Sequence, residues 1–215
     1  MGTIMDLTRS STHDYVDNPY WSAFQIKVKQ LQSEKQKVIG EEDQGKVLLF
    51  VNLTCEEKHK AETLKELQKL RILTQRYGQT GFAVYGAFTY DVQGGDDLSS
   101  KDISNVLTKW GYLTPETINA NLRFVSKLDV NGKEMHNLYR YLKRNSPLFI
   151  HRYGRSRKID DHYSKFLTDR YGEVKHYYAP QVEYAVIEAD IKRLLEEKFY
   201  EPKYRSLLDP PDVFI

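Results

Sequence analysis

The chain has 215 residues, enough to bury a sizeable core, and its 32 Lys and Arg against 30 Asp and Glu leave a net charge of +2. That balance gives no electrostatic case for a nucleic-acid partner. One cysteine excludes an intrachain disulfide framework and a thiolate-built zinc site, and no apolar run approaches the roughly 18 residues of a membrane helix, so no membrane insertion is expected.

Residues 1–20 are polar and show no period, which reads as an N-terminal arm reaching to residue 23. Asp6, Asp14 and Asp17 interrupt any apolar leader core, so an intracellular chain is expected, in a mitochondrial or a cytoplasmic or cytoskeletal assembly rather than secreted. Phe24 to Leu31 alternates apolar and polar residues, predicting the first strand of a hairpin, and Glu41 to Gly45 reads as a turn. Val47-Leu48-Leu49-Phe50-Val51 has the character of a strand buried on both faces. Cys55 follows, and then Leu64, Leu67 and Leu70 recur three apart among Lys, Glu and Gln, predicting an amphipathic helix. A thiol at such a strand-to-helix handover can gain from unpaired N–H groups and the helix dipole, which makes Cys55 the candidate nucleophile, while a lone cysteine is more commonly an inert, small buried side chain.

Gly81 to Gly86 is a second buried strand, closing a right-handed crossover between parallel strands, and Ala87 to Asp97 is a loop at the carboxyl edge of that sheet. Ser99 or Ser100 caps a helix whose apolar face is Ile103, Val106, Leu107 and Trp110. Ser126 to Gly132 is a loop, His136 to Lys143 a short helix, and the runs from Lys165 and Glu173 form a hairpin around Tyr171-Gly172. Val186 to Glu196 is a last amphipathic helix. The tail 199–215 carries Pro202, Pro210 and Pro211 and ends Val-Phe-Ile, so it cannot be one helix and its apolar end calls for a docking partner. The expected organisation is an N-terminal arm over 1–23, one domain over 24–198 and a C-terminal arm over 199–215.

Three segments carry a family resemblance. Gly45-Lys-Val-Leu-Leu-Phe-Val-Asn52, Lys127-Leu-Asp-Val-Asn-Gly-Lys-Glu-Met-His-Asn-Leu-Tyr-Arg-Tyr-Leu-Lys143 and Lys165-Phe-Leu-Thr-Asp-Arg-Tyr-Gly172 with Tyr178-Ala-Pro180 resemble, in order, scaffold segments of the glutathione peroxidases. The resemblance implies an α/β thioredoxin-like fold of the glutathione peroxidase type, a central mixed sheet flanked by helices. It also implies a cysteine or selenocysteine that attacks a peroxide, helped by Gln, Trp and Asn. Cys55 falls at the nucleophile position when two residues are deleted after Asn52; without that gap Glu57 takes the position. The family's F-P-C-N-Q-F-G-G reads Phe88-Thr-Tyr-Asp-Val-Gln-Gly-Gly95, so Asp91 or Val92 stands for Gln with Gln93 one place off. Its W-N-F-T-K-F-L reads Asp161-His-Tyr-Ser-Lys-Phe-Leu167, with Asp161 for Trp and His162 for Asn, and no resolving cysteine is present.

The candidate catalytic residues are therefore Cys55, Gln93, His162 and Asp161, in a site where most of the family's groups are replaced. The resemblance calls for no cofactor or metal, and for glutathione only as a co-substrate if Cys55 is active. Two readings follow. One is an inactive relative serving as an accessory subunit of a protein assembly, attached through residues 1–23 and 199–215; the other is a one-cysteine peroxidase. Arg152, Arg155, Arg157 and Lys158 read as an exposed basic loop or protein-contact surface, or as a holder for glutathione's carboxylates.

Overall fold

The computed structural model describes residues 13–31, 33, 35–89, 91–92, 98–114 and 120–200. In chain order the elements are β1 (His13–Tyr15), β2 (Lys27–Lys29), β3 (Gln36–Val38), α1 (Ile39–Asp43), β4 (Val47–Leu53) and α2 (Lys60–Tyr77). There follow β5 (Phe82–Phe88), α3 (Ser100–Lys109), β6 (Leu122–Val125), α4 (Asn137–Arg144), β7 (Phe149–Ile150), β8 (Arg155–Arg157), β9 (Lys165–Thr168), β10 (Val174–Tyr178) and α5 (Tyr184–Glu196).

The central sheet has the order β10-β9-β4-β5-β6. β4, β5 and β6 are parallel, while β9 runs antiparallel to β4 and β10 antiparallel to β9. This is the expected mixed sheet with helices on its faces. Every residue of β4 and β5 is buried, as the unbroken apolar runs require, because both faces of the sheet are covered. Leu48 and Phe50 look into a core shared with Tyr139 of α4 and Phe166, while Val47, Leu49 and Val51 look into a core shared with Leu67 and Leu70 of α2 and Ile187 and Ile191 of α5. Full burial of each such side chain contributes about 2 kcal/mol.

Strands β1, β6, β7 and β8 were not predicted, and three of the predicted elements differ. Glu41 to Gly45 is not a bare turn: α1 occupies it, and buried Asp43 accepts from Arg123 at 3.0 Å and from the Tyr85 hydroxyl at 2.5 Å. The stripe of α2 is rotated from the Leu64 row, which is half-buried, toward Thr63, Leu67, Leu70 and Leu73. The strand predicted from Phe24 begins only at Lys27, because Ser22 caps a 3-10 turn over Ala23–Gln25.

The segment expected as an N-terminal arm is part of the domain from His13 on. β1 pairs with β8 in a small separate sheet, order β1-β8-β7. Asp14 accepts from Lys143 Nζ at 2.7 Å and from the Gly132 N–H at 3.1 Å, with Lys143 wholly buried. Further on, Ser22 donates to the Tyr171 carbonyl at 2.7 Å, and the Ala23 N–H donates to the Gly172 carbonyl at 3.1 Å. At the other end Phe199 packs on Tyr171, ring centroids 5.1 Å apart. Residues 1–12 and 201–215 of the two expected arms lie outside the described residues.

Candidate functional site

The carboxyl end of β4 is stitched to the loop before β9. The Asn52 side-chain amide donates to the Asp161 carbonyl at 3.0 Å, the Tyr163 N–H donates to the Asn52 carbonyl at 2.7 Å, and the Asn52 N–H donates to the Ser164 carbonyl at 3.3 Å. The loop obliges by placing Tyr163 in the left-handed region at φ 67°. Its hydroxyl meets Thr63 Oγ1 at 2.7 Å, and Thr63 in turn donates to the Thr54 carbonyl at 3.1 Å. The same stitching brings the His162 ring against His59, centroids 5.3 Å apart and nearly edge-on.

Cys55 lies between strand and helix as expected, but its surroundings differ from those of an activated thiol. The side chain is 7 % exposed, and the narrow cleft it shares with Phe88, Thr89, Leu98, Ile103 and Lys127 holds about 10 Å³, room for one water. Burial pushes the thiol up to about 12, with no opposing influence. A 3-10 turn over Glu57–His59 separates it from the first residue of α2, so the sulfur does not sit at the helix N-terminus. Among the described residues no hydrogen bond reaches the sulfur. Glu57, the ungapped alternative, points outward and pairs with Lys60 at 3.0 Å.

His162 and Asp161 line a different and larger cavity, about 430 Å³, together with His59, Tyr163, Pro180 and Gln181. Cys55 is not among its lining residues. His162 is 4 % exposed and neither ring nitrogen has a partner. Burial, and then the neighbouring His59, lower its pKa, which keeps the imidazole neutral at pH 7. Of the two residues expected at the family's glutamine position, Val92 is buried in the core and Asp91 accepts the Val130 and Asn131 N–H groups at 3.1 and 2.7 Å, bracing the turn before α4. Gln93 lies outside the described residues. His136 is the N-cap of α4, its Nδ1 accepting from the Leu138 N–H at 3.1 Å. Sequence reasoning missed His59 and Tyr163, since a lone histidine and one of sixteen tyrosines carry no local signal. Among the described residues no group of three or more His, Cys, Asp and Glu side chains could hold a metal ion, and no helix is long and apolar enough to cross a membrane.

The family model for glutathione peroxidase matches residues 23–143, more than half the chain. The chain belongs to the glutathione peroxidase family. Two relatives of this family illustrate the distance. The protein described as probable phospholipid hydroperoxide glutathione peroxidase of Helianthus annuus is 34 % identical over 151 residues, covering 70 % of this chain and 76 % of that one. The hydroperoxy fatty acid reductase gpx1 of Synechocystis sp. (strain ATCC 27184 / PCC 6803 / Kazusa) is 32 % identical over 154 residues, covering 71 % and 84 %. In three dimensions the crystal structure of T. cruzi GPX1 superimposes with a TM-score of 0.58 at 21 % identity, over 81 % of this chain and 96 % of that one. The glutathione peroxidase scaffold, with its thioredoxin-like sheet, is thereby the fold of this chain.

Proposed function

We propose that this glutathione-peroxidase-family protein does not reduce peroxides at Cys55 and serves instead as an accessory subunit of a larger protein assembly. The observation that supports this reading is the state of the sulfur. The attacking species in thiol chemistry is the thiolate, and a thiol at about 12 is ionised in roughly one molecule in 10⁵ at pH 7. The substitutions at the family's helper positions point the same way: the Asp161 and His162 side chains border another cavity, and Asp91 is committed to a turn. The terminal segments are the proposed attachment arms. Residues 13–23 and Phe199 already pack on the domain, so attachment narrows to residues 1–12 and 201–215 of the arms 1–23 and 199–215.

The competing reading is a one-cysteine peroxidase with glutathione as co-substrate, favoured by family membership and by the peroxidase and reductase names of the relatives. Turnover of hydrogen peroxide and of a lipid hydroperoxide by the purified chain, with glutathione or thioredoxin as reductant, separates the two. The expected rate equals that of Cys55→Ser. A rate that collapses in Cys55→Ser overturns the proposal. For the assembly role, removing residues 201–215 is expected to abolish co-purification with the native complex.

A further inference from the structure

The strands β7 and β8, the turn between them and the residue that follows carry a cluster of cations that pair with no described carboxylate. Arg152, Arg155 and Arg157 are exposed and Lys158 is half-buried. Ser156, between two of the arginines, is 0 % exposed, so Arg155 and Arg157 project from the same outer face, about 7 Å apart along the strand. Tyr153 stands at the tip with 63 % of its surface exposed, and the Arg152 guanidinium lies 5.6 Å from its ring centroid. Half-buried Ile150 lies opposite Arg155.

Elsewhere the described arginines and lysines commonly have acidic partners: Arg123 with Glu42 and Asp43, Lys165 with Glu66, Lys175 with Asp169. Arg152, Arg155, Arg157 and Lys158 make no ion pair with any described carboxylate, including Asp160 next along the chain. The strands that carry them are anchored from within. Arg144 stacks 3.8 Å over Phe149, and the Arg157 N–H donates to the Leu148 carbonyl at 2.9 Å.

We infer that this face docks an acidic segment of a partner protein, one that presents carboxylates to the three guanidiniums and an apolar side chain to Tyr153 and Ile150. This extends, and rests on, the reading of the chain as a subunit. Two observations favour a protein over a nucleic acid. The chain's near-zero balance of 32 cations against 30 anions supplies no long-range attraction to a phosphate backbone. The mixture of arginine with exposed tyrosine and a neighbouring aliphatic side chain is the composition of energetically dominant protein interface residues.

The test is fluorescence anisotropy of the purified full chain with a labelled twelve-residue peptide of glutamates interspersed with leucine and phenylalanine. A glutamine-substituted peptide and a twelve-nucleotide oligouridylate serve as comparison probes. The acidic peptide is expected to bind best, with about tenfold loss in Arg155→Glu/Arg157→Glu and a several-fold loss in Arg155→Lys/Arg157→Lys, because lysine keeps the charge and loses the planar fork. Lys65→Glu/Lys101→Glu, exposed cations on α2 and α3, is expected to bind within about twofold of the parent chain. Tighter binding of the oligouridylate, equal loss in the control variant, or no loss in either arginine variant overturns the inference. Cys55-dependent turnover would overturn the subunit reading while leaving peptide binding in place, so the two failures are distinguishable.

Discussion

Thr54 and Glu56 flank Cys55 and are themselves buried, and although Thr89 and Lys127 also line the cleft, no hydrogen bond among the described residues reaches the sulfur. A thiol held at about 12 is a poor nucleophile toward any electrophile. Iodoacetamide at pH 8 is expected to alkylate Cys55 more than tenfold slower in the folded chain than in urea; equal rates would show the thiol free. Two histidines set the pH behaviour. His136 and His162 are both lowered from 6.5, chiefly by burial, so the folded chain sheds protons that the unfolded chain keeps. Their contribution to stability is complete above the ordinary imidazole value of 6.5 and falls as pH drops below it. Urea midpoints measured between pH 7.5 and 5 are expected to decline, and His136→Asn, which retains a capping side chain, is expected to flatten the decline, as is His162→Asn. A decline unchanged in both variants would assign it to other groups. At this scale the sequence located Cys55, because the strand-to-helix handover is a local pattern. The His59–His162 pair was hidden, since it depends on a loop more than a hundred residues away.

α3 owes its start to a reciprocal cap, Ser99 accepting the Asp102 N–H at 3.2 Å while Asp102 accepts the Ser99 N–H at 3.3 Å. Ser99→Ala is expected to cost about 1 kcal/mol in urea unfolding, and Ser99→Asp much less. The β9–β10 turn has less tolerance. Gly172 sits at φ +79°, and a Cβ there would collide with Ser22 Oγ and come within 3.1 Å of the Ala23 backbone nitrogen. Gly172→Ala is expected to exceed the Ser99→Ala loss by about 1 kcal/mol or more, since backbone strain and displacement of the 22–24 segment combine. An equal or smaller loss would show that the segment yields freely. The long elements α2, β4, β5 and the final helix were legible because their apolar periods are unbroken. α1 was not: Gly40 and Gly45 bracket three acids, a composition that reads as a turn, and only the buried partners of Asp43 make it a helix. β1, β7 and β8 have two or three residues each, too few to show a period.

At the scale of the molecule, the N-terminal strand is latched to the domain by a buried ion pair, Asp14 with Lys143, assisted by the Val130 carbonyl and Asn131 Oδ1 at 3.2 and 3.0 Å. Removing one member of such a pair leaves the other charge buried without its counterion. Asp14→Ala is expected to lose about 3–5 kcal/mol, and Asp14→Ala/Lys143→Met to recover most of it. A double variant no better than the single would place the cost in lost packing instead. No sequence pattern announces this clasp, because neither partner differs from a solvated residue until the chain has folded.

The two halves of the clasp are 129 positions apart, which has a bearing on biosynthesis. Translation delivers the aspartate early and the lysine late, so the ammonium must stay hydrated, and α4 cannot settle fully onto the sheet, until the earliest strand returns to cover it. Any chaperone or neighbouring chain that captures that strand first would leave the nascent molecule with its sheet formed but unlatched.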